Sequence, residues 1–168
     1  KTGHINSTFF VTFRTAGAET KYVLQKINTY VFKDPERLMS NIVGVTEYLR
    51  RVIEKEGGDP ERGTLRFIPC DDGQHFCRDS NGGCWRMYKL IDDVLTYQLA
   101  ESTELFREVG FAFGDFQRKL AGYDTSTLHE TIPDFHNTKK RYSTFERVVT
   151  ECTSERRIIA AAEIDFIR

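Results

Sequence analysis

Asp34-Pro35-Glu36 fixes the start of a helix, and the apolar residues behind it fix what that helix must do. An aspartate ahead of the first turn accepts a hydrogen bond from an orphan backbone N–H, and proline fits the first helical position. An acid in that turn complements the helix dipole. Leu38, Ile42, Val45, Leu49 and Val52 follow in steps of four, three, four and three, which makes one apolar stripe, and Gly57-Gly58 ends the run near Glu56. A long helix with one apolar face must lie on another layer, and the flanking segments predict a sheet.

Ahead of the helix, Phe9, Val11 and Phe13 alternate with polar Asn6, Thr8 and Thr12, so Ile5 to Phe13 reads as a half-buried strand. Arg14 to Thr20, with its Ala-Gly-Ala, connects it to a second strand over Lys21 to Ile27, and the two form a hairpin. Behind the helix, Asp59 to Gly63 is a polar loop. Short strands near Leu65 to Pro69, His75 to Arg78 and Cys84 to Ile91 are separated by Asp71-Asp72-Gly73 and Ser80-Asn81-Gly82-Gly83, turn-rich punctuation of an antiparallel meander.

Past Asp93 the period changes. Leu105, Val109, Ala112, Phe113, Phe116 and Leu120 stand at helical spacing within Glu104 to Leu120, Gly122 to Asn137 is an irregular connector, and Phe145, Val148, Val149 and then Ile158 to Phe166 predict two further helices. The expected fold class is α+β: an antiparallel sheet carrying one long helix over residues 1–93, then the start of a mostly helical part over residues 94–168, with the boundary at Asp92 to Thr96. There is no internal repeat and no low-complexity tract.

With 39% hydrophobic and 29% charged residues in 168, the chain has the make-up of an ordinary soluble domain, and a net charge of −1 argues against nucleic acid as a partner. The longest apolar stretches, such as Ile158 to Ala162, fall far short of the ~20 residues a membrane-spanning helix needs, so no membrane partner is expected. No secretory signal pattern is visible, although the chain opens at Lys1 rather than methionine, and a cytoplasmic location is the default expectation.

Cys70, Cys77 and Cys84 recur every seven residues with His75 among them, but zinc ligands come in close pairs and none is present. Free thiols on or under strands are the reading, and Cys152 is a packing residue.

The residues that invite chemistry lie on the sheet. A backbone that approaches phosphate oxygens needs glycine at a turn and small hydroxyl residues beyond it, and Gly3, Ser7 and Thr8 fit that pattern; so would an ordinary hairpin. Val23 and Gln25 share a face of the second strand, the geometry by which a kinase strand sets a small apolar residue on adenine and a lysine on the phosphates. Here glutamine takes the lysine's place. Lys26 points to the other face unless a bulge turns it round, and Lys89 is a third candidate. Glu47, two places from Val45 and two from Leu49, faces solvent, so no ion pair between the long helix and the strand is expected. No His-x-Asp loop and no Asp-x-Asp pair occurs in the chain, and Asp134-Phe-His-Asn137 lacks the lysine and following asparagine of a phosphotransfer loop.

Gly3-His-Ile-Asn-Ser-Thr-Phe9, Tyr22-Val-Leu-Gln-Lys-Ile-Asn28, Val31-Phe-Lys-Asp-Pro35, Trp85-Arg-Met-Tyr-Lys-Leu-Ile91, Phe113-Gly-Asp-Phe-Gln117 and the Thr131 to Arg141 segment together resemble the N-acetylhexosamine 1-kinases. These belong to the aminoglycoside phosphotransferase and choline kinase group of protein-kinase-like enzymes. The resemblance implies the nucleotide-binding lobe of a kinase that uses ATP and magnesium to phosphorylate the anomeric hydroxyl of an N-acetylhexosamine. It implies that His4 reaches the sugar substrate, that Gln25 is a family trait, and that Ile91, Asp92, Asp93 and Val94 form the hinge whose backbone meets adenine. The family's catalytic loop and magnesium ligands are expected beyond Arg168, so the chain alone is expected to be inactive, with no catalytic or metal residue of its own. Homoserine, choline or an aminoglycoside remain alternative acceptors, and a non-catalytic nucleotide-binding or regulatory module remains an alternative of another class. The apolar circumference of Glu104 to Leu120 predicts an exposed helical surface prone to self-association.

Overall fold

The computed structural model describes residues 5–168; Gly3 and His4 lie outside the described residues. The chain divides into two compact units, one reaching Thr131 and one running from Ile132 to Arg168.

In the first unit, strands β1 (Ser7–Thr15) and β2 (Ala18–Lys26) form a hairpin in regular antiparallel register from Ser7↔Lys26 to Thr15↔Ala18. The connection is only Ala16 and Gly17, both at positive φ (33° and 94°), the backbone twist that two-residue hairpin turns need. The strands therefore run further toward the turn than the Ala-Gly-Ala segment suggested. Strand β3 (Cys77–Arg78) and strand β4 (Cys84–Lys89) complete an antiparallel sheet of order β1-β2-β4-β3, and the expected strand near Leu65 to Pro69 reduces to one bridge, Phe67 to Tyr88.

Helix α1 (Pro35–Lys55) begins where the sequence places it, with the Asp34 side chain accepting a hydrogen bond from the Arg37 N–H. Its buried face is Leu38, Met39, Leu49 and Ile53, so the stripe is turned slightly from the expected one: Ile42, Val45 and Val52 lie only at its margins. Leu38 and Met39 pack with Ile27, Phe67, Phe76 and Cys84 in the core between helix and sheet. Each such side chain contributes about 1.5–3 kcal/mol on burial. A single turn, α2 (Pro60–Gly63), follows, and its Glu61 accepts from Arg50 of α1 at 2.7 Å and from Lys89 of β4 at 2.8 Å.

The core does not reach β1. Phe9 and Phe13 are half exposed and Phe10 is 77% exposed: the alternation gave two faces, but the apolar one turns away from α1 and the core does not cover it. Phe9 instead meets Trp85 at 5.9 Å and Phe13 meets Tyr22 edge-on at 5.5 Å, aromatic contacts across the sheet face away from α1.

Helix α3 (Thr103–Leu120) is capped by Ser102 and joins α1 through Arg118, which donates to both oxygens of Glu56. It has no buried residue, and Phe106, Phe111 and Phe113 are about two-thirds exposed (65, 66 and 66%). The segment after it folds back on α1, where Tyr123 sits edge-on to Tyr48 with its hydroxyl over Gly44.

The second unit holds α4 (Thr138–Glu151), α5 (Ser154–Ile159) and α6 (Ala161–Ile167); the last expected helix is broken at Ala160. Asp134, at φ 59°, accepts from Asn137 and Lys140 beside the start of α4, and these two partners hold its carboxyl below its ordinary range. Among the described residues no helix is long and apolar enough to cross a membrane.

Candidate functional site

Strand register decides which of the sequence candidates can act together. Thr8 pairs with Gln25, and Gln25 pairs with Arg86, so the three side chains form a row across β1, β2 and β4 on the face that carries α1. Ser7 pairs with Lys26 and faces the other way. No bulge interrupts β2, and Lys26 stays on the far face, 5.5 Å from the Trp85 ring centre. Lys89 shares that far face and is committed to Glu61. Glu47 is exposed, and its nearest partner is Arg50 of its own helix at 4.0 Å. Neither lysine nor an ion pair from α1 therefore stands beside Gln25.

Arg86 does, and sequence reasoning missed it. Gln25 Oε1 accepts from Arg86 Nε at 3.1 Å and Nη2 at 3.0 Å, while Gln25 Nε2 donates to Thr8 Oγ1 at 3.1 Å. Chemistry fixes the orientation of the amide: a guanidinium only donates, so the carbonyl oxygen must turn to Arg86 and the NH₂ to Thr8. Arg86 Nη1 has only the weakly accepting Met39 Sδ at 3.8 Å, and the guanidinium lies 5.7 Å from the Phe67 ring centre. Among the described residues no carboxylate forms a salt bridge with it. Burial pushes the Arg86 guanidinium below its ordinary value, and burial also pushes the neighbouring Tyr88 phenol up. The row thus places a half-buried positive charge among neutral partners, with Thr8 O–H and the outer guanidinium N–H groups still able to donate.

Val23, one row along from Gln25, is buried at 4% exposure in the protein's own packing. The connection after β4 is arranged differently. Arg62 donates to the Asp92 carbonyl at 3.1 Å and lies 3.5 Å from that of Asp93, and Lys21 donates to the Asp92 carboxylate at 3.3 Å. Asp93 stands at φ 54°. Leu90 N–H reaches Lys21 O, but among the described residues the N–H groups of Ile91, Asp92, Asp93 and Val94 have no intramolecular acceptor. This connection offers a planar ligand donors rather than the carbonyls of Asp92 and Asp93.

Cys84 is fully buried, Cys77 is exposed, and burial first, then the neighbouring Cys77, pushes the Cys70 thiol up to about 11, the opposite of a metal-binding or nucleophilic thiol. Among the described residues no group of three His, Cys, Asp or Glu side chains is placed to hold a metal ion. No protein-family model matches the chain.

Proposed function

We propose that this chain is the nucleotide-binding portion of an ATP-dependent sugar kinase that phosphorylates the anomeric hydroxyl of an N-acetylhexosamine. The observation that supports it most is the placing of Thr8 and Gln25 on the α1 face of the sheet, with β4 leading directly into a connection whose N–H groups are free. In this reading the backbone of Ile91 to Val94 takes the adenine, and Gln25 and Thr8 face the phosphates. Val23 underlies them; Gly3, assigned to the phosphates, and His4, assigned to the sugar, lie outside the described residues. ATP is the phosphoryl donor; magnesium, when bound, neutralises its phosphate charge. What this chain's own residues do is bind and orient the donor.

The acceptor follows only from the family resemblance, and the same fold serves homoserine, choline or aminoglycoside kinases. A second reading is a nucleotide-binding or regulatory module without chemistry of its own. Calorimetric titration of the chain with ATP and with adenosine tests the shared part: both bind if the connection after β4 receives adenine. Absence of both signals refutes the nucleotide reading. Incubation with ATP and N-acetylglucosamine is expected to give no sugar 1-phosphate above a protein-free control.

A further inference from the structure

We propose that Arg86 is an anion-binding side chain and that, with Thr8 and Gln25, it holds a phosphate group on the α1 face of the sheet. The inference rests on the nucleotide reading only for what carries the phosphate.

Three observations converge. The guanidinium is half-buried, yet its partners among the described residues are an amide oxygen, a thioether and an aromatic ring, none of which carries a charge. Taking a cation out of water is costly unless a negative partner is supplied. The second observation concerns polarity. Gln25 spends its one acceptor on Arg86, and Thr8 Oγ1 already accepts from Gln25, so the groups left open are the Thr8 hydroxyl proton, the second amide proton of Gln25 and the outer guanidinium N–H groups. A patch with donors and no free carboxylate selects an anion, and a planar guanidinium matches two phosphate oxygens. Third, Phe10, two residues from Thr8 on the same face of β1, is largely exposed, so the β1 side of the row is not covered by the core. Gln25 is then a positioning residue: its carbonyl fixes the guanidinium through Nε and Nη2, with Nη1 toward Met39 Sδ.

The test is binding of inorganic tripolyphosphate, ATP and adenosine to the 168-residue chain and to three variants. Arg86→Met should weaken tripolyphosphate and ATP about tenfold or more and leave adenosine unchanged. Its melting temperature should hold or rise, since an apolar isostere replaces an uncompensated charge; a purely structural arginine would lower it. Arg86→Lys should recover part of the affinity. Gln25→Glu keeps the packing and supplies an internal carboxylate, so tripolyphosphate binding should be lost without loss of stability.

Equal tripolyphosphate affinity in wild type, Arg86→Met and Gln25→Glu overturns the proposal. ATP and adenosine binding equally, with no affinity for tripolyphosphate, overturns it while the nucleotide reading stands. Tripolyphosphate bound through Arg86 with no binding of adenosine supports it and sinks the nucleotide reading instead.

Discussion

Asn41 and His129, 88 positions apart, exchange two hydrogen bonds: Asn41 Nδ2 donates to the His129 carbonyl at 2.7 Å, and His129 N–H donates to Asn41 Oδ1 at 2.8 Å. One amide side chain on α1 thereby replaces a rung of sheet for the returning segment. Removing it leaves two backbone groups to find water.

Asn41→Leu is therefore expected to destabilise the first unit by about 1–2 kcal/mol, the net worth of two such bonds. Urea denaturation followed by far-ultraviolet circular dichroism measures it; an unchanged midpoint would show that the bonds contribute nothing net.

Gly44 sits mid-helix, where alanine would ordinarily gain about 1 kcal/mol in propensity. A Cβ there would stand 2.6 Å from the Tyr123 hydroxyl, and the Tyr48 ring, 5.2 Å away, packs against that tyrosine edge-on. Gly44→Ala should destabilise the wild type, whereas in a Tyr123→Phe background the same change should be neutral or stabilising. A double-mutant cycle reads the coupling directly, and its sign decides the matter.

Lys89 first, then Arg50, hold the Glu61 carboxyl down, from 4.5 to about 2. A depressed folded value means that the stabilisation is complete above about pH 4.5 and is lost as pH falls toward 2. Glu61→Gln should cost about 1 kcal/mol at neutral pH, an exposed-to-half-buried ion-pair value. Melting temperatures of variant and wild type should draw together as pH drops through that window; a gap independent of pH would refute the assignment.

Arg62 fastens the carbonyls of Asp92 and Asp93 and little else. Arg62→Ala should lower the backbone ¹H–¹⁵N heteronuclear NOE across residues 91–96 and leave that of α1 unchanged. Unchanged values in that stretch would mean that the Asp93 backbone conformation holds the connection by itself.

How much of this was legible depended on whether the cause was local. Asp34 and Pro35 announce α1 because capping acts over three residues, and the alternation of β2 places Lys26 and Gln25 on opposite faces because the pleat has a period of two. Arg86 could not be found that way. Its partner is 61 positions distant, and only the pairing register, which depends on turns and on α1 packing over Ile27, brings the two together. The rotated α1 stripe has the same origin: tertiary packing chose among residues that the local pattern treated alike.

Strand β1 has nine residues in unbroken register, no proline, and one long side without a neighbouring strand among the described residues. Its outer rim is a row of backbone donors and acceptors flanked by Phe9, Phe10 and Phe13, a geometry that templates strand addition from another chain. The hairpin that positions Thr8 is thus also where the protein is most open to intermolecular sheet growth. A lysine at Val11, pointing away from the Thr8 row, would guard that rim without touching the site.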